Sequence, residues 1–284
     1  MPLPTSPVIR RARLGAELRQ LRRRGALTLE QVCERLGWAS TSKLSRIELG
    51  QSRPDLADVL DLLDVYQVSS SQRDALIVIA RDAATSRGWW KSLGEMGERQ
   101  RTYAELEAGA AGIVEYQPAV VPGLLQTSGY ARLRIAAGQL MDPAVDVEAD
   151  LRARVARHAV LRRVDPPRYT AVLTEAACWP AGDPVEVWRE QLRHLLDLAT
   201  LPHVTIRLLP AGAELGPVPL TPFSCYSFPD PADPRTVMLE ALTTDVRLTT
   251  PTDVDRYERM SGCLLEAALP EDETARVLAR WLDG

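Results

Sequence analysis

The stretch Leu27–Pro54, LTLEQVCERLGWASTSKLSRIELGQSRP, contains two short apolar runs separated by Gly37, Trp38, Ala39 and Ser40. In the first run Leu29, Val32, Cys33 and Leu36 recur at helical spacing, and in the second Leu44 and Ile47 share a face. Thr28 stands three residues before Gln31, a capping-box arrangement that satisfies backbone donors at the start of the first helix. So short a connection forces a sharp reversal and turns the second helix outward, which is helix-turn-helix geometry. Leu14, Leu18 and Leu21 predict a helix ahead of this pair, with Gly25 as a permissive stop. Leu56, Val59, Leu60 and Leu63 predict another behind it, and Ser71 to Ala84 a fifth, with Leu76, Ile79, Ala80 and Ala83 on one stripe. The expectation is an all-α domain over residues 1–84.

Charge marks the same boundary. Residues 1–53 hold eleven Lys/Arg against four acids, a net +7, whereas the whole chain carries −4 and the remainder therefore −11. A basic head on an acidic body predicts a polyanion-binding module joined to one that does not bind polyanions. The outward face of the second helix would present Thr41, Ser42, Lys43, Ser45 and Arg46, with Arg53 just beyond. Short hydroxyls can contact phosphates or base edges, and the long cations can reach guanine acceptors or the backbone, so these six are the candidate contacts to double-stranded DNA. For Arg22, Arg23 and Arg24 an ordinary solvated face is the competing reading.

The chain has 284 residues, 45% hydrophobic and 25% charged, enough for two domains each with a core, which excludes a purely disordered chain. Cys33, Cys178, Cys225 and Cys263 lie far apart without a C-x-x-C pair, and His158, His194 and His203 do not cluster with them. A disulfide scaffold and a zinc finger are disfavoured, and neither a metal nor a cofactor is expected. The N-terminus lacks a signal-like apolar run, and no stretch of roughly 18 apolar residues occurs. The expected location is cytoplasmic, with no membrane partner.

From Thr85 to Arg101 the apolar period lapses, and residues 85–102 read as a linker. Trp89 and Trp90 within it are expected to pack against a neighbouring domain or subunit rather than hold a ligand. Helical periodicity returns from Tyr103 to Tyr116, and two prolines then interrupt Gln117–Thr127. Tyr130 starts another helical stretch. A helix over Val147 to Arg163 carries Arg152, Arg154, Arg157, Arg162 and Arg163, a candidate second basic face. Tyr169–Thr174, Val204–Leu208, Phe223–Phe228, Thr236–Leu239 and Val246–Thr249 are β-favouring runs, implying four or five strands. An amphipathic helix over Pro184 to Thr200 and helices closing the chain complete a mixed α/β domain over residues 103–284.

The quoted stretch resembles the helix-turn-helix of XRE-type, lambda-repressor-like regulators, with Ser45-Arg46-Ile47-Glu48 followed by Gly50 and Pro54. The resemblance covers about residues 10–68 and implies a structural ion pair between Arg22 of the first helix and Glu48. Where such regulators commonly carry Gln near the start of the second helix, this chain has Leu29. "YAELEAGAAGIVEYQPAVVPGLLQTSGYARL", the R-x-x-R of Arg154 and Arg157, "AVLTEAA", "QLRHLLDLATLPHVTIRLLP", "TPFSCYSF" and "VMLEAL" together resemble the C-terminal domain of uncharacterised function that follows such a module in many actinobacterial regulators. That resemblance implies an antitoxin-like transcriptional regulator, often encoded near a small partner protein. His158 stands where a Gln commonly follows the second Arg.

Catalysis is not expected, because the chain offers no G-x-S-x-G elbow, Walker loop, G-x-G-x-x-G after a strand or H-E-x-x-H. Glu175 and Glu240 end predicted strands and could act as paired carboxylates, or simply make cap and salt-bridge contacts. If the second domain has a ligand or partner pocket, Gln126, Tyr130, Arg154, Glu175 and the loop Pro210–Pro222 are expected to converge on it. The expected function is a homodimeric, sequence-specific transcription regulator whose second domain senses a small-molecule effector or a small cognate protein. Alternatives are an antitoxin-type protein that neutralises a partner and regulates its own synthesis, and an enzyme with a DNA-targeting domain.

Overall fold

A computed structural model describes residues 6–84, 97–180, 182–213, 221–241 and 243–283. Among them, residues 6–84 cluster with Phe228–Pro234 into one unit, and 97–227 with 235–283 into a second.

The first unit contains α1 (Pro7–Arg24), α2 (Leu29–Leu36), α3 (Thr41–Glu48), α4 (Leu56–Val65) and α5 (Ser70–Ala84). Thr28 and Gln31 form the reciprocal capping box of α2, and Gly37 closes that helix in the left-handed region. The apolar positions of all five helices meet in one core that includes Leu14, Leu18, Val32, Leu44, Ile47, Val59, Leu63, Leu76 and Ile79. Gly25 does follow α1, but its φ is −76°, and the left-handed residue at that turn is Ala26. Two glycines let α1 lie against α3. A Cβ on Gly15 would sit 2.5 Å from the Ile47 carbonyl oxygen, and one on Gly50, where φ is +65°, would sit 2.8 Å from Ala12 Cα. In the Phe228–Pro234 segment Asp233 takes Arg13 at 3.1 Å.

The second unit runs α6 (Glu98–Gly109), β1 (Gly112–Gln117), α7 (Ser128–Gly138), α8 (Val147–Arg157), β2 (Arg168–Thr174), α9 (Glu175–Cys178), α10 (Val185–Leu198), β3 (Val204–Leu209), β4 (Phe223–Ser227), β5 (Thr236–Glu240), β6 (Asp245–Leu248), α11 (Pro251–Ala267) and α12 (Glu271–Asp283). Among the described residues its six strands form one mixed sheet in the order β3-β2-β1-β4-β5-β6. β1 is parallel to β2, and β2 to β3, while the pairings of β1 with β4, β4 with β5 and β5 with β6 are antiparallel.

Five strands coincide with the β-favouring runs of the sequence. The sixth, β1, falls where helical periodicity was expected to continue to Tyr116, and α6 begins at Glu98, inside the expected linker. The reason is tertiary: β1 lies mid-sheet, and its short alternation of Val114 and Tyr116 with Glu115 and Gln117 sets the polar pair on a buried face instead of in solvent. Trp89 and Trp90, and positions 214–220 of the loop Pro210–Pro222, lie outside the described residues.

Side-chain alternation along the strands gives the sheet two unlike faces. Tyr116, Val172, Phe223, Cys225 and Val237 form an apolar face with Val254 and Leu264 of α11. On the opposite face the register aligns Ile113 and Glu115 of β1 with Tyr169 and Ala171 of β2 and with Tyr226 and Ser224 of β4. Among the described residues, no helix is long and apolar enough to cross a membrane.

Candidate functional site

The outward surface of the first unit is built on α3. Leu44 and Ile47 point into the core, leaving Ser42, Lys43 and Arg46 exposed and Thr41 and Ser45 half-buried. Ser40 precedes the helix without a side-chain cap bond. Glu48 anchors the far end. Arg22 Nε donates to Glu48 Oε1 at 2.6 Å and Nη2 to Oε2 at 2.8 Å, with only 2% of the Glu48 side chain exposed. Arg22 Nη1 also donates to the Leu27 carbonyl at 2.9 Å, so one guanidinium ties α1 to α3 and to the turn before α2. The carboxylate holds the Arg22 guanidinium above its ordinary range.

The candidate contacts differ in availability. Lys43 Nζ lies 2.5 Å from Asp58 Oδ1 and 4.3 Å from the centroid of the Trp38 ring, so its charge is already engaged on the surface. Arg46 and Arg53 are exposed and have no side-chain partner among the described residues. Arg23, Arg24 and Arg35 are exposed as well.

The second unit holds a cavity of about 410 Å³ on the polar face of the sheet. β1 contributes Glu115 and Gln117, two residues apart and therefore on one face, β4 contributes Tyr226 and β5 contributes Glu240. Gln117 Nε2 donates to Glu115 Oε1 at 3.2 Å and to Glu240 Oε1 at 3.1 Å, so two carboxylates share one amide. The Tyr169 hydroxyl donates to the other Glu115 oxygen at 2.7 Å. Burial, with the Glu240 charge next in importance, pushes the Glu115 carboxyl up to about 7. Burial also raises Glu240, against the lowering influence of Arg99.

α6 and α8 supply the opposite wall. Arg157 is buried and forms a two-point pair with Glu107, and its Nη1 donates to Gln100 Oε1 at 2.5 Å. Its guanidinium carbon lies 5.2 Å from the centroid of the Tyr103 ring. Arg154 has no such carboxylate. Its Nη1 donates to Gln126 Oε1 at 2.9 Å, and its Nε is buried without a partner among the described residues. Burial and the nearby Arg157 lower the Arg154 guanidinium to about 10, so it stays charged at neutral pH. The Tyr103 hydroxyl on this cavity is likewise buried and without a partner among the described residues.

The V-P-G-L-L-Q-T segment forms one rim. Gly123–Leu125 is a single 3-10 turn, and Thr127 caps α7 by accepting from the Tyr130 backbone amide. Gln126 Nε2 donates to the Val121 carbonyl at 2.7 Å, which fixes its amide and aims Oε1 at Arg154. His158 Nε2 lies 3.0 Å from the Gly123 carbonyl, and burial lowers its imidazole to about 4, leaving it neutral.

Gln126, Arg154 and Glu240 therefore line one cavity. Tyr130 supports the rim instead, its hydroxyl accepting from the Val121 amide at 3.2 Å. Glu175 is not brought to the cavity, nor paired with Glu240. It opens α9 beyond the end of β2, where its Oε2 accepts from the Ala211 amide at 3.3 Å. The expected basic face over Val147–Arg163 is corrected too. Helix α8 ends at Arg157, and Arg154, Arg157 and Arg163 turn inward to Gln126, Glu107 and the Ala110 carbonyl, leaving Arg152 and Arg162 exposed. Sequence reasoning missed Glu115, Gln117, Glu107 and Tyr103. The i, i+2 pair of Glu115 and Gln117 inside an otherwise apolar strand was the signal available.

Two family models match the chain. One, described as a helix-turn-helix domain, covers residues 13–76, and the other, described as a domain of unknown function (DUF5753), covers residues 100–280. No curated protein and no solved structure matches. The first match supports a DNA-binding regulator and agrees with the resemblance to XRE-type proteins. Since the second spans well over half of the chain, the protein belongs to the DUF5753 family, with a helix-turn-helix domain ahead of that domain.

Proposed function

We propose that this protein is a sequence-specific transcription regulator that reads DNA through α3 and responds to a small ligand held in its second unit. The observation that carries the reading is α3 itself, anchored through the buried Glu48 while Arg46 stands exposed and unpartnered among the described residues. A helix held in this way can present a guanidinium to base edges on a backbone that is already ordered. Thr41, Ser42 and Ser45 lie on the same helix, and Arg53 follows it as a backbone contact. One helix-turn-helix reads one half-site, so the protein acts as a homodimer on a near-palindromic operator with half-sites about one helical turn apart.

The ligand-sensing part of the proposal is supported by the cavity, whose volume lies within the ~300–1,000 Å³ typical of small-molecule sites. Its lining includes buried polar groups without partners among the described residues. Selecting fragments from a random DNA pool with the purified full chain tests the first part. Enrichment of an inverted repeat, with specificity relaxed at one position of each half-site by Arg46→Ala, is expected; recovery of unrelated fragments would overturn it. Repeating the selection with a small-molecule cell extract tests the second part, by whether operator affinity changes.

A further inference from the structure

The charges around the cavity do not balance locally. Three of its four arginines have carboxylate partners: Arg157 with Glu107, Arg99 with Asp245 at 2.8 Å, and Arg134 with Asp183. The fourth, Arg154, feels the charges of Asp150 and Glu240 without bonding to either; its Nη1 donates to the neutral Gln126, and its Nε is buried with nothing to donate to among the described residues. A buried guanidinium with no carboxylate in bonding contact is costly, and an incoming acidic group that bonds to it offsets that cost.

The opposite imbalance exists at the sheet. Glu115 and Glu240 both lean on the single amide of Gln117, and the cation nearest Glu240, Arg99, is 3.9 Å away and already engaged by Asp245. A positive group placed there would neutralise two buried carboxylates at once. The Tyr103 hydroxyl lines the same space and has no partner among the described residues.

Resting on the reading of the second unit as a ligand sensor, we infer that the cavity takes a small zwitterion, with its ammonium group between Glu115 and Glu240 and its acidic oxygens on Arg154. A dianion would set like charge against the two carboxylates, and a diamine would set it against Arg154. Only a ligand carrying both signs complements both ends.

The test is calorimetric titration of the full chain with three matched probe series: ω-amino acids of about three to six carbons, and the diamines and dicarboxylates of the same lengths. At least one amino acid is expected to bind tenfold or more tightly than its matched diamine and dicarboxylate. Glu240→Gln should reduce its preference over the dicarboxylate, and Arg154→Gln its preference over the diamine. Melting curves of both variants without probe establish that they fold, and Glu115→Gln, whose oxygen can still accept from Gln117 while its amide nitrogen donates to the Tyr169 hydroxyl, serves as a second variant at the acidic end. Tighter binding of a dicarboxylate or a diamine overturns the zwitterion assignment, and if that probe also shifts operator affinity, the sensor reading survives alone. Binding indifferent to all three substitutions overturns the site. Absence of binding throughout the series overturns the assignment, while an extract that still alters operator affinity leaves the sensor reading standing.

Discussion

Glu48 at the end of α3 receives both arms of the Arg22 guanidinium while almost entirely shielded from solvent, and Arg19 approaches the same carboxylate only at 3.4 Å. Removing Arg22 leaves a buried charge with a weaker substitute. Arg22→Ala is expected to cost about 3 kcal/mol, the lower end for a broken buried pair, because Arg19 can move in. Chemical denaturation of the purified variant, followed by helical circular dichroism, measures it.

Lys43 is held by Asp58 and Trp38, whereas Arg46 is free of side-chain partners among the described residues. Arg46→Ala should therefore weaken operator binding by about 1–3 kcal/mol and relax specificity at one position. Asp58→Asn should release Lys43 and steepen the salt dependence of binding by about 0.9 log unit per log unit of salt, the increment for one more neutralised phosphate. Fluorescence anisotropy at a series of salt concentrations reads both effects. A salt slope unchanged by Asp58→Asn would place Lys43 away from the DNA backbone.

Gly15 faces backbone oxygens of α3, and Gly50 combines a left-handed φ with close approach to α1. Gly15→Ala has no flexible side chain to push aside, so overpacking should destabilise the first unit by about 1–3 kcal/mol. Gly50→Ala adds backbone strain to the same clash and is expected to cost at least as much. Thermal melting compared with Gly138→Ala, a position with open space around it, separates these effects from the ordinary cost of changing glycine.

Glu115 titrates near 7 in the folded chain against an ordinary 4.5, because burial and Glu240 disfavour its charged form. Between these values the native state holds a proton that the unfolded state has released, so stability falls as pH rises from about 4.5 to about 7. Glu107 and Glu240 act in the same sense, while His158, lowered to about 4, acts in the opposite sense below its ordinary 6.5. Comparing wild type with Glu115→Gln isolates the one carboxyl. The variant should gain in melting temperature relative to wild type at pH 8 compared with pH 5, and a constant difference would show that Glu115 titrates normally.

The first unit was legible from the chain because its determinants are local. Thr28 and Gln31 cap α2, a left-handed Gly37 ends it, and the spacing of Leu29 to Ile47 sets both helices by neighbours a few residues away. Five strands were legible for the same reason, since β-branched and aromatic runs mark them. β1 was not, because its extended form is imposed by β2 and β4, which lie far along the chain and pair with both of its edges. The cavity depended on tertiary structure still more. Gln126 and Arg154 showed themselves as polar residues at breaks in the backbone, but joining Glu115 to Glu240 across 125 positions, and turning Arg157 from an apparent surface cation into the partner of Glu107, required the sheet register and the docking of α6 and α8. Local spacing determines which elements form; where a charge ends up, and whether it has a counter-ion, is decided by what the rest of the fold packs beside it.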